Sequence, residues 1–287
     1  MPAIPNCESI PEQDFHQLRD LVRAQLGISL SPAKRVMVET RLRKRARALA
    51  MHSLADYCRY VCTAEGQNRE WPHLTDAITT HKTDFFREPV HFDYLVRDAV
   101  PRMAELYGAG IRRPLLVWSS ACSTGQEPYT AALVLTAYAN SLGPRSFRFR
   151  IHATDISQGV LETARAAVYP ESAVSPVPPD LRRKYLLRSK DPNRQVVRIA
   201  PEIRSLVEFR QLNLLDRDYA FGDLMDVIFC RNVIIYFDRP TQQQALTTIS
   251  RTLRPGGYLL MGHSESLNGL DLPLAQVAPA VYRRLDG

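Results

Sequence analysis

The sequence predicts an α/β protein in which a small all-α N-terminal domain precedes a larger domain with a mostly parallel sheet. Residues 1–85 carry apolar side chains at helical spacing and contain no strand candidate. From residue 114 onward, short apolar runs alternate with helical patterns, which favours a sheet covered by helices on both faces. The run 115–118 stops in small residues and one glycine, Gly125, before a helical pattern begins. This order is typical of a nucleotide-like ligand site in an open α/β sheet, and also of an ordinary connection.

Length and composition agree with this class. The chain has 287 residues, with 45% hydrophobic and 23% charged residues, so one large or two unequal domains are expected. No apolar run approaches the ~20 residues of a membrane helix. The first residues show neither the basic nor the apolar region of a secretion signal, so we expect a cytoplasmic protein. Nothing in the sequence demands more than a monomer.

Helix signals divide the N-terminal domain. The first predicted helix ends at Gly27, and Ser31-Pro32 begins the second with a cap and a first-turn proline. The third and fourth cover residues 54–62 and 71–78. Residues 86–113 are predicted to connect this domain, residues 1–85, to the second.

Strand candidates organise the second domain, residues 114–287. They are 115–118, 150–154, 207–212, 226–230, 258–261 and 281–285. Pro255-Gly256-Gly257 predicts a turn before the fifth. The proline-rich stretch of about 170–206 interrupts the alternation and contains the strand-like run 196–199. We interpret it as an insertion that forms a small antiparallel subdomain at the edge of the sheet.

Polar residues follow several of these strands. Asp155 ends the second, where a carboxylate can bind ribose hydroxyls, although an aspartate there also commonly caps a helix. Asn213 follows the third strand, and Arg231 and Asn232 follow the fourth. Polar groups at the carboxyl ends of strands point into the ligand crevice of an α/β sheet, whereas an asparagine alone also fits a turn cap.

Six segments carry a family resemblance in one order along the chain. They are residues 79–88, 118–130, 153–156, 207–215, 230–237 and 262–265. Together they resemble the chemotaxis-receptor glutamate methyltransferases, the CheR family. The resemblance implies a Rossmann-like methyltransferase fold for the second domain, S-adenosylmethionine as cofactor with S-adenosylhomocysteine as product, and methylation of receptor glutamates for sensory adaptation.

The resemblance also implies where the cofactor contacts this chain. It places Thr83 and Arg87 at the methionine end, Glu127 near the amino group, Asp155 on the ribose, Asn213 and Leu214 around the adenine, and Arg231 and Asn232 along the crevice. Two positions depart from the family pattern. His81 stands where an asparagine is common and can still hydrogen-bond, whereas Gln126 replaces the first of two acids, and the lost charge weakens affinity in this interpretation.

Transfer to a glutamate needs little acid–base chemistry, because a carboxylate of pKa about 4.3 is already ionised at neutral pH. The enzyme must mainly align the reacting atoms and exclude water. Tyr236 is the candidate for orienting the acceptor carboxylate through its hydroxyl. A half-buried aromatic residue after a strand explains the same position equally well.

A basic helix provides a candidate partner surface. The chain carries a formal net charge of +7, and residues 32–52 contain seven basic residues against one acid, Glu39. Arg41, Lys44, Arg45 and Arg47 lie away from its apolar face. The resemblance implies that this helix docks on the acidic helical bundle of a chemoreceptor's cytoplasmic domain, in a salt-dependent encounter.

Other functions fit less well. No aromatic ring lies in residues 32–52 to stack on bases, and Asn232 is followed by Val-Ile-Ile-Tyr rather than Pro-Pro-aromatic, so no nucleic-acid partner is expected. A noncatalytic scaffold that senses the cofactor finds support only in His81 and Gln126. Tether-peptide binding by the insertion is doubtful, because loop 188–195 has no glycine for close backbone approach. Cys58 and Cys62 lack a nearby histidine or acid, so no metal site is predicted.

Overall fold

The structure is a computed structural model that describes residues 9–143 and 146–285. The first residues, on which the expectation of no secretion signal depends, lie outside these ranges. The described part of the N-terminal domain forms four α-helices. They are α1 (Glu12–Leu26), α2 (Arg35–Ala48), α3 (Leu54–Val61) and α4 (Ala64–Ile78), with a 3₁₀ turn at Pro32–Lys34 before α2.

Local signals explain the ends of these helices. Gly27 takes the left-handed conformation (φ 70°) that ends α1, as predicted. Thr63 caps α4 by accepting the backbone N–H of Gly66. Therefore α4 begins seven residues before the predicted start at Trp71, and it continues through Pro72.

The predicted connection, residues 86–113, is largely helical. It contains α5 (Val90–Tyr94), a π-helical turn (Leu95–Ala99) and α6 (Val100–Tyr107) without interruption. Their buried apolar side chains share a core with β1 and β7 of the sheet described next. This segment therefore packs as part of the α/β unit.

The described residues form a seven-stranded sheet with the order β6-β2-β1-β7-β8-β10-β9. Its strands are β1 (Leu115–Ser119), β2 (Phe149–Asp155), β6 (Val207–Gln211), β7 (Met225–Cys230), β8 (Leu253–Met261), β9 (Leu274–Ala278) and β10 (Val281–Arg284). The five from β6 to β8 are parallel neighbours, and β10 is antiparallel to β8 and β9. The covering helices are α7 (Gln126–Ser141), α8 (Gln158–Ala166), α9 (Pro179–Tyr185), α10 (Pro201–Arg204) and α11 (Arg239–Thr252).

Two details of the sheet differ from the prediction. Pro255-Gly256-Gly257 does not form a turn before β8, because it lies inside that strand, beside a register shift against β7. The edge strand β9 was missed because its residues are only partly buried and lack strong alternation.

The insertion does contain a small antiparallel sheet. It is formed by β3 (Val168–Pro170), β4 (Leu186–Arg188) and β5 (Val196–Ile199) in the order β3-β5-β4. The sheet begins two residues before the predicted start of the insertion at 170. Its buried side chains join α7 in one apolar core.

The N-terminal helices pack on the α/β unit. Leu18, Leu42 and Leu74 belong to the same apolar cluster as Trp118 of β1 and Ile228 of β7, and all five are fully buried. The N-terminal domain therefore shares one apolar core with the α/β unit. No helix in the described ranges has both the length and the apolar character to cross a membrane.

Candidate functional site

One crevice lies at the carboxyl ends of the parallel strands. The ten residues proposed for cofactor and acceptor all line it: His81, Thr83, Arg87, Glu127, Asp155, Asn213, Leu214, Arg231, Asn232 and Tyr236. The N-terminal domain supplies a wall that sequence analysis missed, including Ile28, Leu30 and Met37. Ile28 and Leu30 are apolar residues in a short connection between two helices, and that pattern is the signal that they pack against another unit.

The loop between β1 and α7 comes close to its neighbours. Gly125 has φ 96°, and a Cβ there would lie 2.9 Å from both Ala164 Cβ and Tyr169 Oη. Ser123 also adopts a positive φ of 49°. The loop therefore needs glycine at 125 for conformation and for space.

Asp155 links this loop to the end of β2. Its Oδ2 accepts the Ser123 N–H at 2.8 Å, and its Oδ1 accepts the Ser157 N–H at 3.0 Å. Burial raises the pKa of Asp155, and these two amide hydrogen bonds oppose the rise. The helix-cap alternative is wrong, because Ser157 is the residue that caps α8. Each carboxylate oxygen keeps a lone pair for a ligand hydroxyl.

Glu127 and Arg231 form the charged centre of the crevice. Glu127 accepts the Ser119 hydroxyl at 2.7 Å and lies 3.4 Å from Arg231 Nε. Burial raises the pKa of Glu127, whereas Arg231 and Ser119 lower it. The Nη2 of Arg231 donates to the Arg87 carbonyl at 2.6 Å.

The other donors of Arg231 make no hydrogen bond within the described residues, although its Nε lies 3.4 Å from Glu127 Oε2. Both Nε and Nη1 are buried. The guanidinium therefore lines the crevice as a buried positive charge beside an acid.

The turn after β7 is held by Glu265, an acid for which the sequence predicted no role. Glu265 accepts the backbone N–H groups of Asn232, Val233, Ile234 and Gly262 at 2.7–3.0 Å. Asn232 has φ 58°, a conformation that asparagine tolerates. Glu265 therefore fixes the turn from which Asn232 faces the crevice.

Tyr236 lies at the end of this turn, on the wall shared with the N-terminal domain. It is half-buried, and the ammonium of Lys34 lies 5.1 Å from its ring centroid. Its carbonyl accepts the Ser29 N–H at 2.8 Å. The backbone of Tyr236 is therefore fixed to the segment between α1 and α2.

Asn213 uses its side chain inside the protein. Its Oδ1 accepts the Leu215 N–H at 3.0 Å, and its Nδ2 donates to the Gln25 carbonyl at 2.8 Å. It therefore caps a turn and shapes the crevice wall. Leu214, 6% exposed, gives this wall an apolar surface.

Residues 79–87 form the opposite side. His81 Nε2 hydrogen-bonds with Thr79 Oγ1 at 3.0 Å, and its carbonyl accepts the Ser123 hydroxyl at 2.9 Å. Arg87 Nη1 donates to the Lys82 carbonyl at 3.1 Å. His81 thus binds the β1–α7 loop through its backbone.

Arg41 and Arg45 of the basic helix α2, both proposed to bind a partner, make contacts inside the protein. Arg41 Nη1 donates to the carbonyls of Ala77 and Thr79 at the end of α4, at 3.1 and 2.8 Å. Arg45 makes a bidentate pair with Glu70 at 2.6 and 2.7 Å, and the Glu70 side chain is 3% exposed. Lys44 and Arg47 are exposed on the same helix.

Two family models match this chain in sequence. The CheR methyltransferase all-alpha domain matches residues 13–79, and the CheR methyltransferase SAM-binding domain matches residues 81–281. The second match contains every residue of the crevice discussed above from His81 onward.

Curated relatives align over nearly the whole chain. Chemotaxis protein methyltransferase 2 of Pseudomonas aeruginosa is 39% identical, over 94% of this chain and 92% of the relative. The chemotaxis protein methyltransferases of Borreliella burgdorferi and Escherichia coli are 35% and 36% identical, over 96% of this chain and 95% and 91% of their own lengths. Because both domains match in order and the crevice fits a nucleoside-like cofactor, the chain belongs to the CheR methyltransferase family and is an S-adenosylmethionine-dependent methyltransferase.

Proposed function

We propose that the protein methylates glutamate side chains on the cytoplasmic helices of a chemoreceptor, giving glutamyl methyl esters for sensory adaptation. The observation that carries the proposal is the convergence of Asp155, Glu127 and Arg231 in one crevice at the strand ends. The names of the relatives, chemotaxis protein methyltransferases, supply the substrate class. When bound, S-adenosylmethionine supplies a methyl group activated by a sulfonium.

The charges of the crevice suit the parts of this cofactor. Asp155 accepts hydrogen bonds from ribose hydroxyls, and Glu127 provides the negative charge for an ammonium group. Arg231 and Arg87 provide positive charge for a carboxylate. Leu214 would lie against the adenine, beside a turn that Asn213 holds through the Leu215 N–H.

The acceptor reaches the crevice from the side of Tyr236. A free glutamate is ionised at neutral pH, so the protein needs no general base. Tyr236 donates a hydrogen bond to the acceptor carboxylate and orients it towards the methyl group. Lys34, beside the ring of Tyr236, adds a positive charge that attracts the acceptor.

The receptor surface is proposed to include the exposed cations of α2. Lys44 and Arg47 face away from the core, so they suit an acidic helical bundle in the cytoplasm. Arg41 and Arg45 contribute mainly by fixing α4 against α2.

The test is methyl transfer from labelled S-adenosylmethionine to membranes that contain the organism's chemoreceptors, followed by mild alkali. Release of volatile methanol identifies a carboxyl methyl ester. Tyr236→Phe should lower the transfer rate about 10- to 100-fold with unchanged cofactor affinity, because one hydrogen bond to a charged group is worth about 1.5–3 kcal/mol. Tyr60→Phe, a half-buried tyrosine of α3, is the matched control and should leave the rate unchanged.

Two outcomes would contradict the proposal. If the cofactor binds but no alkali-labile label appears on any receptor, the substrate assignment fails and a noncatalytic scaffold becomes the better explanation. If Tyr236→Phe transfers at the normal rate, Tyr236 is only a packed aromatic residue.

A further inference from the structure

Three potential metal ligands meet beside the crevice, although the sequence predicted no metal site. Glu88 precedes α5, His91 lies in α5, and His263 follows β8. The Oε2 of Glu88 lies 3.4 Å from His91 Nδ1 and 4.0 Å from His263 Nε2. One ligand atom from each residue lies within 4.8 Å of the others.

The polar atoms at the centre of this cluster lack partners. His91 is 1% exposed, and neither of its ring nitrogens makes a hydrogen bond with a described residue. Glu88 Oε2 is also buried without a hydrogen bond. Buried polar atoms ordinarily have partners, so these ring nitrogens and this carboxylate oxygen are free to coordinate an ion.

The residue types at this cluster suit a metal ion. A neutral imidazole and a carboxylate are ligands that Zn²⁺ prefers.

We propose that Glu88, His91 and His263 bind a divalent transition metal ion, with Zn²⁺ as the best fit. Metal–ligand distances of about 2.0–2.2 Å in a tetrahedron require ligand atoms about 3.4 Å apart. Glu88 and His91 already have this spacing. The side chain of His263 is 51% exposed, so it can rotate to close the larger gap, now 4.0 Å from Glu88 Oε2, and its side of the site stays open to water.

The site is coupled to the methyltransferase crevice through Arg231. Its Nε lies 3.6 Å from the same Glu88 Oε2 and 3.4 Å from Glu127 Oε2. A bound dication takes over the Glu88 carboxylate and repels the guanidinium, which is left with Glu127 as its acidic partner. Metal binding therefore weakens cofactor binding. This regulation goes beyond the proposed methylation.

The binding test is titration of the tag-free full chain with Zn²⁺ by calorimetry, and with Co²⁺ by visible absorption. One ion should bind per chain. Bound Co²⁺ should show the visible absorption of a low-symmetry coordination site. The substitutions His263→Ala and Glu88→Gln should each weaken binding at least about tenfold, since even outer partners of a metal site contribute 10–100-fold.

His16→Ala is the matched control, because His16 is 50% exposed and also pairs with a glutamate, Glu12, at 2.9 Å. Its binding should equal that of the unchanged protein. Absence of 1:1 binding, or equal binding by His263→Ala and the unchanged protein, would overturn the site. This readout needs no receptor, so it stands or fails separately from methylation.

The coupling has its own test. Zn²⁺ should weaken the binding of S-adenosylhomocysteine to the unchanged protein but not to His263→Ala. If the metal binds but the cofactor affinity is unchanged, the metal site is supported and its coupling to Arg231 is refuted.

Discussion

The crevice at the strand ends and the basic helix α2 differ in how their polar residues are used. In the crevice, residues far apart in sequence converge because parallel strands end at one edge of the sheet. On α2, Arg41 and Arg45 turn instead to backbone and acidic groups of α4. Position at a strand end is therefore stronger support for a ligand role than charge on a helix.

Arg231→Ala should cause the largest effect and tests the crevice. The Arg231 side chain is 2% exposed, and its removal takes away the cation that lies 3.4 Å from Glu127 and 3.6 Å from Glu88. Losing one member of a buried ion pair costs about 3–5 kcal/mol. We expect at least about 100-fold weaker cofactor binding by calorimetry and a lower free energy of unfolding.

Arg113→Ala is the matched control, since Arg113 makes a bidentate pair with the fully buried Asp226 at 2.6 and 2.7 Å. This variant should lose stability while its folded form binds cofactor normally. Equal loss of cofactor affinity in both variants would mean that Arg231 acts only through stability.

Gly125→Ala should have the next largest effect, because it adds both backbone strain and steric crowding to the crevice loop. Its φ of 96° disfavours a Cβ, and that atom would lie 2.9 Å from Ala164 Cβ. We expect a loss of about 3 kcal/mol, from about 1–2 kcal/mol of backbone strain and about 1–3 kcal/mol of crowding. The measurement is denaturant unfolding.

Gly143→Ala separates the two causes, because Gly143 has φ 98° but nothing lies within 4 Å of its Cβ position. It should lose only the strain, about 1–2 kcal/mol. If the two variants lose the same stability, crowding at the crevice loop is unimportant.

Arg45→Ala and Lys44→Ala separate a cation of α2 that has an internal partner from one that is exposed. Arg45→Ala should lower the free energy of unfolding by about 2 kcal/mol, below the ~3–5 kcal/mol of a fully buried pair because the Arg45 side chain is 27% exposed. Lys44→Ala should change stability by less than about 0.5 kcal/mol and slow receptor methylation at low salt.

The reverse pattern would contradict this division. If Arg45→Ala unfolds at the same denaturant concentration as the unchanged protein but methylates slowly, Arg45 faces the receptor and not Glu70.

The sequence was sufficient to predict a site residue where the order of strands and loops along the chain determines its position. Asp155 and Arg231 follow apolar strands, and topology alone brings such residues together. It was insufficient where a side chain's partner is distant in sequence. Asn213 donates to the Gln25 carbonyl, 188 residues away, and His263 contacts Glu88, 175 residues away. Such partners depend on how the domains pack, which no local pattern encodes.

Asp238→Asn should have the smallest effect and tests a contact between the two regions. Asp238 caps α11 through Thr241 and pairs at 2.6 Å with Arg23 of α1, so here too a cation of the N-terminal domain finds an internal partner. The hydrogen bonds from Thr241, and then Arg23, lower the pKa of Asp238. Asparagine also caps helices, so the substitution removes mainly the charge.

The direction of the pH dependence follows from that lowered pKa. The folded carboxyl releases its proton more easily than the unfolded one, so its stabilisation is complete above the ordinary aspartate pKa of about 3.9 and is lost as pH falls through the lower folded value. At pH of about 7 the variant should be less stable by at most about 1 kcal/mol, because Arg23 is 61% exposed. Measured by chemical unfolding, the difference in stability between the variant and the unchanged protein should disappear below a pH of about 4. The control is Asp20→Asn, at an exposed pair with Arg19, which should differ little in stability from the unchanged protein. A stability difference that grows towards low pH would mean that Arg23 and Thr241 do not favour the ionised carboxylate of Asp238.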